Sequence, residues 1–95
     1  MREAYTPGEL VQSRSGRDKG RALVVLGQEG EFVYVADGEL RRLQRPKKKK
    51  AMHLRPYPKK DLPLMAFALD RPLCDADIRK HIAALMADNE PHSTD

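Results

Sequence analysis

A chain of 95 residues with 34% charged side chains, two Phe, three Tyr and no Trp has material for one small domain with a thin core, which excludes most large enzyme folds. Its single cysteine, Cys74, excludes an internal disulfide and a cysteine-rich zinc site, and no apolar run is long enough to span a membrane. The net charge of +4 conceals a division: residues 1–40 carry net −2, residues 41–60 carry ten basic side chains and no acid, and residues 61–95 carry net −4.

Met1 to Gly8 lack the apolar core of a signal peptide, so a cytoplasmic protein is expected. Glu9 to Ser13 alternate weakly and predict a short strand. Arg14-Ser15-Gly16-Arg17-Asp18-Lys19-Gly20 is too polar and glycine-rich for an element interior and reads as a loop. Ala22-Leu23-Val24-Val25-Leu26 is apolar at both parities, as in a central strand covered on two sides. After a turn at Gly27 to Gly30, Phe32-Val33-Tyr34-Val35-Ala36 supplies the aromatic and β-branched residues of its hairpin partner. Asp37-Gly38 is a favoured type I′ turn and predicts a fourth, short or bulged strand over 40–44. Pro46 and Lys47 to Lys50 are expected to interrupt the sheet, which resumes at 51–56 with Met52 and Leu54 on one face.

Pro56, Pro58 and Pro63 mark an irregular linker. Asp75 can cap a helix from about Ala76 to Ala87 whose apolar stripe is Ile78, Ile82, Leu85 and Met86. Such a helix is marginal alone, so the stripe must dock. If Val33 and Val35 face the core, Phe32 and Tyr34 face outward together, either as a base-stacking platform or beneath the helix. The helix is the expected partner. The resulting organisation is a barrel over 1–60, a linker over 61–74, the helix at 75–87 and a frayed tail at 88–95.

Catalytic chemistry finds little footing. His53, His81 and His92 fall on a strand, a helix and the tail without metal-ligand spacing, and His81 sits at the edge of the helix stripe. Cys74 has no paired base and is expected to be a buried, inert thiol. The 16–20 glycine loop lacks the spacing and the Ser or Thr of a phosphate-binding loop. No enzyme activity, metal, cofactor or small-molecule substrate is expected. What the loop does offer is Arg14, Arg17, Lys19 and Arg21 around two glycines, where backbone N–H groups can approach phosphates closely.

Val11-Gln12-Ser13-Arg14-Ser15-Gly16-Arg17-Asp18-Lys19-Gly20-Arg21 followed by Leu23-Val24-Val25 resembles the KOW motif. Val33-Tyr34-Val35-Ala36-Asp37-Gly38, Leu40-Arg41, Arg45-Pro46-Lys47-Lys48-Lys49-Lys50 and His53-Leu54 extend the likeness. Over about residues 9–55 it resembles small bacterial KOW-domain RNA-binding proteins, relatives of the large-subunit ribosomal proteins fourteen-e, six-e and twenty-seven-e. The resemblance implies a mainly β fold, an SH3-like antiparallel barrel with the C-terminal helix added, that binds ribosomal RNA or the large ribosomal subunit.

The expected contacts are Arg14, Ser15, Gly16, Arg17, Lys19, Gly20, Arg21, Arg41, Arg42, Arg45, Lys47, Lys48, Lys49, Lys50, His53 and Arg55, reading phosphates and RNA shape more than base identity. The same acid-free stretch could instead meet an acidic surface of a transcription or translation factor. A nuclear import signal at 45–50 conflicts with the bacterial resemblance, and no helix carries its basic residues on a face suited to a DNA major groove.

Overall fold

The computed structural model describes residues 4–59 and 62–89. Apolar side chains at the centre of the sequence build its framework: β2 (Ala22–Glu29) and β3 (Phe32–Ala36) form the expected hairpin, with Val25 opposite Val35 and a bulge between Val25 and Gly27. The turn expected over 27–30 lies instead at Gly30 and Glu31, because β2 continues through Gly27 and Gln28 to Glu29 in register with β3. β1 (Leu10–Ser13) adds antiparallel to the other side of β2, with Leu10 opposite Val24. β4 (Lys47–Lys50) pairs with β3, and β5 (Leu54–Pro56) pairs with β1. The result is one five-stranded antiparallel sheet in the order β4-β3-β2-β1-β5. A single helical turn at Ala51–His53 leads from one edge strand to the other, so the strand expected over 51–56 is only β5, and Met52 is exposed while Leu54 is buried, not on one face with it.

The two sides of the sheet carry separate apolar clusters. On one, Val11, Leu23, Val25, Val33, Val35 and Leu54 pack with Tyr5 and Ala51. On the other, Leu10 and Val24 receive Ile78 and Leu85 of α1 (Asp75–Asn89). The double-sided burial expected of residues 22–26 is therefore present, as is the helical stripe: Ile78 and Leu85 are buried, and Ile82 and Met86 are partly so.

Further expectations change. The segment after Asp37-Gly38 is not a strand, because the Asp37 carboxylate turns back to accept the N–H groups of Glu39 and Arg41 at 2.9 and 2.8 Å. The loop is then tied to the helix: Asp75 accepts the Leu43 N–H at 2.8 Å, and Arg79 donates to the Gly38 carbonyl at 2.7 Å. Gly38, at φ +79°, has room for no side chain, since a Cβ there would meet the Asp75 carbonyl at 2.5 Å. Second, the lysine quartet does not interrupt the sheet; it is β4. Charged lysines suit an edge strand, and only alternate side chains must meet the apolar interior.

Third, α1 docks on β1 and β2, not on Phe32 or Tyr34. Leu62, Leu64 and Leu73 of the preceding segment occupy the same side and deliver the helix there. Its N-terminus is capped not at Asp75, whose carboxylate is taken by the Leu43 N–H, but at Cys74, whose carbonyl accepts the Asp77 and Ile78 N–H groups and whose own N–H is accepted by Asp77 at 3.0 Å. Arg71 clamps that carboxylate with two bonds of 2.6 and 2.7 Å, and the pair holds Asp77 well below the usual carboxylate range. Fourth, Cys74 is exposed, whereas His81 is fully buried and not at a boundary.

His81 Nε2 donates to the Gly8 carbonyl at 2.7 Å, pinning the N-terminal loop beneath the helix. Gly8 in turn has φ +98° and lies against the backbone of 62–64. Asp88 and Asn89 continue the helix; the fraying expected beyond them, His92 included, lies outside the described residues.

Candidate nucleic-acid interface

The loop between β1 and β2 contains one acid among its basic residues, and that acid organises it. Asp18, 4% exposed, closes a single 3-10 turn over Gly16–Asp18 and accepts two hydrogen bonds of 3.1 Å from the Arg41 guanidinium. Burial alone would raise its pKa. The Arg41 hydrogen bonds, with the charges of Arg41, Lys49 and Lys47, outweigh that and hold Asp18 below the ordinary carboxylate value. Lys49 completes the arrangement. Its ammonium donates to the Ser15 carbonyl at 2.9 Å, and burial pushes its pKa down against the attraction of Asp18. The 14–20 loop, the 37–46 loop and β4 are thus joined at one buried ionic centre.

Glycine sets the remaining backbone. Gly16 and Gly20 have φ of +73° and +87°, which side-chain-bearing residues rarely adopt. Nothing lies within 4 Å of where a Gly20 Cβ would be, but the N–H groups expected to meet phosphates are already used here: Gly20 donates to the Ser13 carbonyl at 2.8 Å, Lys19 to Gly16 at 3.2 Å and Arg21 to Asp18 at 2.8 Å. Arg14, Arg17 and Lys19 project from this loop, all exposed. Arg14 N–H donates to the His53 carbonyl at 2.8 Å, which brings half-buried His53 to the base of the same loop.

The remaining expected contacts divide by what they already hold. Arg21 is paired with Asp37 at 3.0 Å and lies toward the helix, lining a recess of about 280 Å³ with Arg79 and Ile82. Arg41 and Lys49 are committed to the buried centre. Arg42 and Arg45 are exposed on the 37–46 loop and border a recess of about 410 Å³ with Leu40 and Gln44. Arg55 is exposed on β5, opposite Gln12. Along β4 the register places Lys47 and Lys49 opposite Val35 and Val33, while Lys48 and Lys50 fall on the other side opposite Tyr34 and Phe32. Lys50 has Glu31 at 3.7 Å, an exposed pair of little energetic weight.

Asp18 is the residue of the candidate site that sequence reasoning passed over. Its signal was present: a lone acid within a basic glycine loop is placed to fix the loop through its neighbours. Among the described residues no group of three or more His, Cys, Asp or Glu side chains could hold a metal ion, and no helix is long and apolar enough to cross a membrane. No family model matches the chain, and no curated protein matches its sequence.

Proposed function

We propose that this protein is a non-enzymatic RNA-binding module of the KOW type, its sheet the counterpart of an SH3-like barrel, acting on ribosomal RNA or the large ribosomal subunit. The observation that carries the reading is the buried Asp18–Arg41–Lys49 centre. It draws two cations inward to fix the loop and leaves Arg14, Arg17 and Lys19 outside, around backbone with positive φ at Gly16 and Gly20. A fixed loop of exposed cations suits phosphate oxygens, whose contacts position a protein on a folded RNA. Arg42, Arg45, Lys47, Lys48 and Arg55 extend the cationic surface, with Ser15 and His53 beneath it, while Arg21 serves the fold.

Cosedimentation with ribosomal subunits tests the reading. The expected result is association that is lost on nuclease treatment and weakened by Arg17→Ala with Lys19→Ala. Association that survives removal of accessible RNA would identify an acidic protein surface as the partner instead.

A further inference from the structure

The side of β3 that faces away from the Val33–Val35 cluster is the least explained surface of the sheet. Phe32 and Tyr34 both lie there, half-buried, two residues apart and so about 6.6 Å apart along the strand. The apolar cluster under α1 includes Leu26 and Tyr57 but neither of these rings. Next to them on β4 are Lys48 and Lys50, and the Lys48 ammonium stands 4.5 Å from the centre of the Phe32 ring. Opposite Tyr34 on β2 is Gly27, placed there by the bulge, and nothing lies within 4 Å of the position its Cβ would occupy. Two rings, two ammonium groups and a vacant strand position therefore share one face.

Resting on the RNA-binding reading, we propose that Phe32 and Tyr34 are a stacking platform for two unpaired nucleotides of an RNA strand, with Lys48 and Lys50 on the flanking phosphates. An aromatic ring on a sheet surface accepts the π-face of any base, and a cation beside it serves the phosphate that follows. A double helix presents no free base faces, so this surface selects single-stranded RNA, whereas the 14–20 loop meets phosphates of any folded RNA. The Lys48 ammonium now over Phe32 would move aside to the phosphate as a base stacks.

The test is fluorescence anisotropy of the full chain with a labelled twelve-nucleotide oligo-uridine, the matching oligo-thymidine and a twelve-base-pair RNA duplex. Phe32→Leu and Tyr34→Leu should each weaken oligo-uridine binding by about five- to a hundred-fold and leave duplex binding within about twofold. Tyr34→Phe, which keeps the ring, should retain the single-strand affinity. Single-strand affinity unchanged in both leucine variants, or duplex affinity falling in parallel, would overturn the platform and leave the RNA-binding reading standing. Tighter binding of oligo-thymidine than of oligo-uridine would overturn the assignment to RNA. Failure of the wild-type chain to bind either RNA would overturn the underlying reading itself.

Discussion

Asp18→Asn removes one negative charge and keeps the side-chain volume, so it tests whether the buried ionic centre holds the loop. Asp18 has a side chain 5% exposed, and its partner Arg41 is 30% exposed. Deleting one member of a fully buried pair costs about 3–5 kcal/mol, because the other charge is left uncompensated. Arg41 can recover part of its hydration, and Lys49 can not, which sets the expectation at about 2 kcal/mol or somewhat more. In a domain of this size that corresponds to a fall in melting temperature of roughly 8–16 °C.

The pH dependence gives a second signature. Because the folded-state pKa of Asp18 lies below its ordinary value of 3.8, its contribution is complete above the unfolded value and is lost as pH falls through the folded value. The gap between wild type and variant, measured by circular dichroism melts, should be full at pH 7 and pH 5 and smaller at pH 3. A variant melting within 2 °C of wild type at pH 7 would refute the role assigned to Asp18.

In the second core, Ile78→Ala should cost about 2–5 kcal/mol in urea unfolding, and Ile82→Ala clearly less, since Ile78 is fully buried and Ile82 only partly; equal costs would contradict the docking of the helix. Burial pushes the His81 pKa down against the opposing hydrogen bond to Gly8. The unfolded chain therefore takes up a proton that the folded one refuses, and stability should decline from pH 7.5 to pH 5.5, less steeply in His81→Gln, as read from melting temperatures. Lys49→Ala should lower the melting temperature, whereas Lys48→Ala should leave it nearly unchanged and weaken RNA binding; anisotropy and melting on the two variants check the division of β4.

Much of the fold could be read from residue patterns. Strands β1 to β3 show in the apolar parity of 10–13, 22–26 and 32–36 with glycine-rich turns between them, and α1 shows in the spacing of Ile78, Ile82, Leu85 and Met86. β4 could not, because Lys47 to Lys50 have no alternation in polarity. Their strand comes from the ladder with β3, and the register puts Lys47 and Lys49 on the interior side, where the Lys49 ammonium reaches the Ser15 carbonyl. The docking face of the helix also depends on tertiary contacts, in Leu62, Leu64 and Leu73 and in the Gly38–Arg79 bond, that no local pattern encodes.

The basic stretch of the candidate site was evident from charge alone, but its internal division was not. Treating the four lysines as one solvated block leads to the expectation that all four can become alanine without affecting stability. The burial of Lys49, 7% exposed and bonded to Ser15, reverses that expectation for one of the four. Asp18 and Asp37, both acids inside or beside basic loops, proved to be the residues that shape those loops.

The salt dependence of RNA binding tests the central claim most directly. With a labelled fragment of large-subunit ribosomal RNA and salt raised from 50 to 200 mM, phosphate contacts from Arg14, Arg17, Lys19, Arg42 and Arg45 alone predict a log–log slope of about −3.5 to −4.5, steeper where Lys47, Lys48 or Arg55 also engages. Arg17→Ala with Lys19→Ala should make that slope shallower by about 1.4 to 1.8. A wild-type affinity that does not change with salt, or a slope unaltered in the double variant, would contradict the account.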